Sequence, residues 1–357
     1  MERVLRVLIV DDSAYVRKVI KQMLSRSPFI DVVGVARDGE EALTLVEELR
    51  PDVVTVDLIM PGIAGLGFIR EQMSRAPLPI VIVSIASETS ELVLDALDSG
   101  AIDFVQKPSA LATEKVFEMA DDLIEKVKAA GNVQLGRTRQ AKDGHDATSS
   151  GVRRYSRDRD GVDIVVIGIS TGGPQTLKAL IPKLPADFPV PIAIVLHMPV
   201  GYTDLYAKRL NDMSRLNVSE AQEGDVLRKG RVLLAPAGHH MTLVKNPEGA
   251  VVTHLDSRPF DTLHRPSVDV LFRSAAEVFG SRVLGVVMTG MGDDGREGAR
   301  IIKSNGGLIF AEAEESCVVY GMPRSVVEAG LANRVMPLDQ MSGTIAGVAY
   351  GEDTHRR

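Results

Sequence analysis

Val166-Ile167-Gly168-Ile169-Ser170-Thr171-Gly172-Gly173-Pro174 is an apolar run that breaks abruptly into two hydroxyl residues, a pair of glycines and a proline. Its apolar part is nearly continuous, as in a strand buried on both faces. Pro174 suits the first turn of a following helix, where its missing N–H is not needed. The stretch is therefore a strand–turn–helix unit, the building block of a parallel α/β sheet. Residues 168–172 also fit G-x-S-x-G, a pattern that exposes a serine hydroxyl at a strand end beside the free N–H groups of a helix N-terminus.

Outward from this unit the same pattern recurs. Residues 163–168, 190–197 and 282–288 read as buried strands, and Leu177/Leu180/Ile181/Leu184 and Leu271/Phe272/Ala275/Ala276/Phe279 mark helical faces. Residues 162–348 are thus expected to form a doubly wound α/β domain with a mostly parallel sheet, followed by a polar tail at 349–357, frayed from 350. Upstream, residues 129–161 are dominated by Arg, Asp, Ser and Gly, with Val133 and Leu135 almost the last aliphatic residues before Val152. This composition predicts a flexible linker. Residues 1–128 alternate strand and helix signals. Strands are expected at 5–10, 30–36, 53–57, 80–84 and 103–106, with helical faces at Val16/Val19/Ile20/Met23/Leu24 and Val116/Ala120/Leu123/Val127. A five-stranded, doubly wound parallel sheet of flavodoxin-like type follows.

The chain has 357 residues, 45% hydrophobic and 25% charged, which suits two folded domains. A net charge of -7 without a basic arm argues against nucleic acid as a partner. The single Cys317 cannot form an internal disulfide, which fits a reducing cytoplasm. The short apolar start ends at Asp11-Asp12 with no cleavage site, and no apolar run is long enough to cross a bilayer, so neither a signal peptide nor membrane insertion is expected. Asn217-Val218-Ser219 matches a glycosylation pattern by chance. Nothing in the pattern demands more than a monomer.

Chemistry-bearing residues gather at strand ends. In the first domain these are Asp11-Asp12 after the first strand, Asp57 at the third, Ser84 at the fourth and Lys107 at the fifth. In a parallel sheet they share one edge, where α/β ligands bind. Three carboxylates there (Asp11, Asp12, Asp57) repel one another unless a divalent cation joins them, and an all-oxygen set suits Mg²⁺. Asp57 could attack phosphorus to form an acyl phosphate, with Lys107 offsetting the added charge and the Ser84 hydroxyl bonding a phosphoryl oxygen. Asp12 or Ser13, taken alone, could simply cap the next helix.

Val10-Asp11-Asp12-Ser13, residues 56–62 (Val-Asp-Leu-Ile-Met-Pro-Gly), Ser84 and Lys107-Pro108 together resemble the response-regulator receiver family. The resemblance implies phosphorylation of Asp57 by a histidine kinase, with Ser84 and Phe104 moving in the switch.

In the second domain, Ser170 needs a base, and His197, closing a predicted strand, is the best candidate. The base in turn needs a carboxylate, and Asp293 and Asp294 follow the strand at 282–288. The order Ser, His, Asp differs from the Ser, Asp, His order of α/β-hydrolases.

Order and wording instead resemble the chemotaxis protein-glutamate methylesterase (CheB) family. Further matches are residues 196–199 (Leu-His-Met-Pro), 234–236 (Leu-Ala-Pro), 265–269 (Arg-Pro-Ser-Val-Asp) and 316–323 (Ser-Cys-Val-Val-Tyr-Gly-Met-Pro). The resemblance implies hydrolysis of glutamate γ-methyl esters on methyl-accepting chemotaxis receptors, with deamidation of receptor glutamines. The partners it implies are the cytoplasmic domain of those receptors and a chemotaxis histidine kinase. By position it makes Ser170 the nucleophile, His197 the general base and Asp294 its orienting acid, with Thr171 and Met291 where the oxyanion is stabilised and no cofactor at the esterase site. Asp293 stays one residue from the same role.

Among the remaining histidines, His239-His240 would face opposite sides of a strand, His264 is expected to line the substrate cleft, and His145, His254 and His355 are expected in solvent. Cys317 reads as a buried structural thiol. The simplest coupling of the two domains has the unphosphorylated receiver covering the Ser170 cleft. Two other output classes fit less well: a nucleotide-binding module lacks G-x-G-x-x-G and G-K-[ST], and a DNA-binding module lacks a helix-turn-helix with a basic stripe.

Overall fold

The computed structural model describes residues 3–85, 90–107, 115–133, 161–258 and 262–351. The N-terminal half alternates β1 (Leu5–Val10), α1 (Ala14–Leu24), β2 (Ile30–Ala36), α2 (Gly39–Leu49), β3 (Val53–Val56), α3 (Gly65–Arg75), β4 (Ile80–Ile85), α4 (Ser90–Asp98), β5 (Asp103–Lys107) and α5 (Lys115–Gly131). The strands form one sheet in the order β2-β1-β3-β4-β5, with every pairing parallel. Strand order reverses between β1 and β3, which opens a crevice at their carboxyl ends. Ser13 caps α1, its side chain accepting from Val16 N at 3.4 Å.

The C-terminal half comprises β6 (Ile164–Ile169), α6 (Gly173–Leu180), β7 (Ile192–Leu196), α7 (Thr203–Met213), β8 (Asn217–Glu220), β9 (Arg231–Leu234), β10 (His240–Lys245), β11 (Val251–Asp256), α8 (Val268–Phe279), β12 (Val283–Val287), α9 (Arg296–Ser304), β13 (Leu308–Glu312), α10 (Met322–Glu328), β14 (Arg334–Met336) and α11 (Leu338–Ala349). A wholly parallel seven-stranded sheet runs β14-β13-β12-β6-β7-β9-β8. All residues of β6, β7 and β12 are buried, as central strands covered by helices on both faces require. The reversal falls at β6, flanked by β7 on one side and β12 on the other. β10 and β11 form a separate antiparallel hairpin, tied to α8 by the Leu243 N–H donating to Ser274 Oγ at 3.1 Å.

Three sequence expectations need correction. The domain end expected at 128 falls inside α5, which continues to Gly131 because Val127 and Ala130 still point into the core, both fully buried. The tail expected to fray from 350 is tied down at its start, where the Tyr350 hydroxyl donates to Asp187 Oδ1 at 2.7 Å. Strands β8, β9, β13 and β14 and the hairpin were not anticipated. They are short, and β8 (Asn-Val-Ser-Glu) is a polar edge strand without a continuous apolar signal. Of the expected linker, residues 134–160 lie outside the described residues, as do Pro108, His145, His355 and the rest of the tail.

The two halves pack together. Asp98 of α4 pairs with Lys178 of α6, and Asp95 of α4 pairs with Arg209 of α7 at 2.7 Å. Arg209 also donates to the Glu91 carbonyl at 3.1 Å, and Gln175 of α6 to the Leu97 carbonyl. The Phe104 ring of β5 meets Tyr202, just before α7, with ring centroids 4.7 Å apart. Val318 packs against the apolar cluster beneath α5.

Candidate active site

Ser170, His197 and Asp294 follow β6, β7 and β12 at the carboxyl edge of the large sheet, around the point where strand order reverses. α/β sheets bind ligands in that crevice. The chain leaves β6 through Ser170 and turns into α6 at Gly172, whose φ of +77° is left-handed and suits glycine. The His197 N–H donates to the Ile169 carbonyl at 3.1 Å, which holds His197 beside the serine loop.

His197 Nε2 lies 2.9 Å from Asp294 Oδ2, with 10% and 9% of their side chains exposed. Asp294 is held from behind by the start of α8. The Ser267 hydroxyl donates to Oδ1 at 2.8 Å, Asp269 N to Oδ1 at 3.0 Å and Val268 N to Oδ2 at 2.8 Å. Burial alone would raise the Asp294 pKa. The His197 hydrogen bond and charge, together with the two backbone N–H donors, outweigh it and hold the carboxyl down to about 2. Asp294 is therefore an anion aimed at one nitrogen of His197. Asp293 instead pairs with Arg296 at 2.8 Å on the surface.

With Nε2 bonded to the acid, Nδ1 is the ring nitrogen left for the serine. It is buried and has no hydrogen-bond partner among the described residues. No Ser170–His197 hydrogen bond is formed here, as is common before substrate tightens a site. His264 stacks on His197, centroids 4.1 Å apart at 27°. The residue is exposed, yet lost hydration of the stacked ring, with the His197 charge as second cause, lowers its pKa to about 4.

Thr171 is buried, and the 289–291 segment passes directly against Ser170: a Cβ on Gly290 would lie 2.7 Å from the Ser170 Cβ. Among the described residues, neither the Thr171 nor the Met291 backbone N–H donates to the chain. Thr171 follows Ser170 and Met291 follows Gly290 in the chain, so either free N–H can donate to an oxyanion formed there.

At the other sheet, Lys107 Nζ lies 2.6 Å from Asp11 Oδ2 and 2.5 Å from Asp57 Oδ2. Oxygens of Asp11, Asp12 and Asp57 lie within 4.8 Å of one another, Asp11 and Asp57 buried and Asp12 exposed. Burial is the largest influence on Asp11 and raises its pKa despite Lys107. This crowded, all-oxygen cluster is chemically suited to a hard divalent cation such as Mg²⁺. Ser84 is buried on β4, and Phe104 is buried on β5, the strand that carries Lys107.

A family model, CheB methylesterase, matches residues 165–345, and a second, response regulator receiver domain, matches residues 7–119. The chain is 50% identical over 338 residues, 94% of its length and 96% of the relative's, to protein-glutamate methylesterase/protein-glutamine glutaminase 5 of Myxococcus xanthus. This chain belongs to the CheB methylesterase family. A Methanosarcina mazei member, protein-glutamate methylesterase/protein-glutamine glutaminase 2, is 42% identical across 98% of this chain and 97% of its own. The crystal structure of the Thermotoga maritima CheB methylesterase catalytic domain superposes with a TM-score of 0.51 at 42% identity, covering 53% of this chain and 100% of that one. CheB-type and receiver folds thus account for both sheets.

Sequence reasoning overlooked Ser267, whose hydroxyl bonds Asp294; it lies in the Arg-Pro-Ser-Val-Asp stretch, quoted only for its wording. Among the other residues singled out, His239 is exposed and His240 buried, His254 is exposed and bonds Glu223 at 3.0 Å, and Cys317 is half-buried, its thiol pKa pushed up chiefly by burial.

Proposed function

We propose that this chain is a protein-glutamate methylesterase and protein-glutamine glutaminase whose Ser170 chemistry is gated by phosphorylation of Asp57. The observation that carries the catalytic half is the His197–Asp294 pair, largely screened from solvent and anchored by the start of α8 at the sheet edge that also holds Ser170.

His197 Nδ1 takes the Ser170 proton as Oγ attacks the γ-carbonyl carbon of a receptor glutamate methyl ester. The tetrahedral oxyanion accepts hydrogen bonds from the Thr171 and Met291 N–H groups, each worth about 10²–10³-fold in rate by analogy with other oxyanion donors. Collapse breaks the C–OCH₃ bond, and His197 returns the proton to the leaving oxygen, releasing methanol. A water, deprotonated by His197, then attacks the acyl-serine. Ser170 leaves with the proton, and the glutamic acid formed on the receptor loses its own proton to solvent, leaving a carboxylate. With glutamine, ammonia leaves in place of methanol. Asp294 remains anionic throughout and stabilises the imidazolium.

In the receiver, Asp57 accepts a phosphoryl group from a chemotaxis histidine kinase. Asp11, Asp12 and Asp57 would hold Mg²⁺, which supplies charge neutralisation there. Lys107 and Ser84 bind the phosphoryl oxygens, and Phe104 carries the change to the interface. The packing of α4 and β5 on α6, α7 and Tyr202 supports a receiver that restricts the Ser170 cleft until Asp57 is modified. The enzyme works as a cytoplasmic monomer on the cytoplasmic domains of methyl-accepting receptors. Among the described residues, no helix is long and apolar enough to cross a membrane.

Methanol release from methylated receptor membranes tests the catalytic half. Ser170→Ala and His197→Ala should abolish release, and Asp294→Asn should lower it about 10³–10⁴-fold. Undiminished release by Ser170→Ala would overturn the assignment.

A further inference from the structure

Glu312, the last residue of β13, is fully buried, and no cation pairs with it among the described residues. Its Oε2 accepts the Thr289 N–H at 2.9 Å and its Oε1 the Ser316 hydroxyl at 2.9 Å, while Ser316 Oγ accepts the Leu338 N–H at 3.0 Å. Burial raises its pKa. A lone carboxyl in a core is costly unless it organises its surroundings.

What it organises is Thr289, itself fully buried. The Thr289 carbonyl accepts the Ser170 N–H at 3.0 Å. The Thr289 hydroxyl donates to the Thr171 carbonyl at 3.0 Å and accepts the Val319 N–H at 2.9 Å. The next residue is clamped as well: Gly290 N donates to the Val319 carbonyl at 3.0 Å, and the Gly290 carbonyl accepts Gly321 N at 3.0 Å and Met322 N at 2.8 Å. One residue, Thr289, thus joins the loop carrying Ser170 and Thr171 to the loop carrying Met291, and Glu312 fixes its N–H.

We infer that Glu312 and Thr289 are positioning residues for the esterase reaction: Glu312 fixes the Thr289 N–H, and Thr289 sets the Met291 N–H relative to Ser170. Neither touches substrate. The inference rests on the assignment of Ser170 as nucleophile and Met291 as oxyanion donor. Losing the Glu312 acceptor leaves a buried Thr289 N–H unsatisfied and lets the 289–291 segment tilt from Ser170. Such a tilt weakens binding of the oxyanion, which exists only along the reaction path, and leaves substrate binding alone.

The test is steady-state methanol release by the full chain under saturating phosphodonor, so that gating is constant. Glu312→Leu should lower kcat about 10–100-fold with KM within about twofold, the pattern of a lost transition-state interaction. Glu312→Gln, whose amide oxygen can still accept the Thr289 N–H, should recover kcat to within about threefold of wild type. Should Glu312→Leu fail to fold, Thr289→Val against Thr289→Ser reads the same segment through its hydroxyl, with kcat lost in the first and kept in the second. A folded Glu312→Leu with wild-type kcat, a Glu312→Gln as impaired as Glu312→Leu, or a Thr289→Val with wild-type kcat would overturn the inference. Ser170→Ala, run alongside, separates the failures: if it is active, the catalytic assignment itself falls.

Discussion

At the scale of residues, the acid of the site shows how little sequence adjacency decides. Asp293 and Asp294 are neighbours of identical chemistry. One meets Arg296 at the surface, and the other packs against His197, Ser267 and the first N–H groups of α8. The helix start selects Asp294, through donors and a positive dipole end. That choice could be reached from the sequence only through family wording, since α8 lies some 25 residues upstream and its approach is tertiary. The same helix start carries a second carboxyl. Asp269 accepts the Gly298 N–H at 2.6 Å, and burial, with the Asp294 charge adding to it, raises its pKa to about 6. The folded chain therefore holds this proton more tightly than the unfolded chain. Stability falls as pH rises from about 4 to about 6, and the penalty is fully present above that. Asp269→Asn keeps an acceptor for Gly298 and removes the penalty. Its gain in thermal stability over wild type should be near zero at pH 4 and on the order of 1–2 kcal/mol at pH 8. Paired thermal melts at the two pH values check this; a gain independent of pH would contradict it.

At the scale of elements, the sequence is most legible where strands are covered on both faces. Residues 5–10 and 30–36 were read with their observed bounds, and 53–57, 80–84, 103–106, 163–168, 190–197 and 282–288 to within a residue or two. Continuous apolar runs cannot easily be anything else at that length. Legibility ended with β8, a polar edge strand, and with β13, whose last residue is the buried Glu312. A charged residue reads locally as a strand's exit into solvent; only the neighbouring loops make it part of the core. The interface is likewise invisible locally. Asp95 and Asp98 look like an ordinary solvated helix face, and they pair with Lys178 and Arg209, roughly 80 to 114 residues away. These pairs are partly exposed, so each contributes about 0.2–1 kcal/mol and is weakened by salt. Replacing both cations, Lys178→Ala with Arg209→Ala, should raise methanol release without phosphodonor several-fold, up to about tenfold, while leaving the phosphodonor-saturated rate unchanged. Unchanged basal release in the double variant would mean that this contact does not hold the closed state.

At the scale of the whole molecule, two doubly wound sheets each place their chemistry at the edge where strand order reverses, and α4 and β5 of one rest on α6, α7 and Tyr202 of the other. The Phe104–Tyr202 contact, with ring centroids 4.7 Å apart, joins β5, whose Lys107 reaches Asp57, to the end of the loop that begins at His197. Gating needs an interface whose free energy differs between the two states of Asp57, and this is the surface available to sense it. The most direct measurement is methanol release from methylated receptor membranes by the full chain, with and without a small phosphodonor and Mg²⁺, for wild type and Asp57→Ala. Stimulation of wild type that is absent in Asp57→Ala is the predicted result. Equal stimulation of both proteins, or none in wild type, would contradict the proposed control of Ser170 by Asp57.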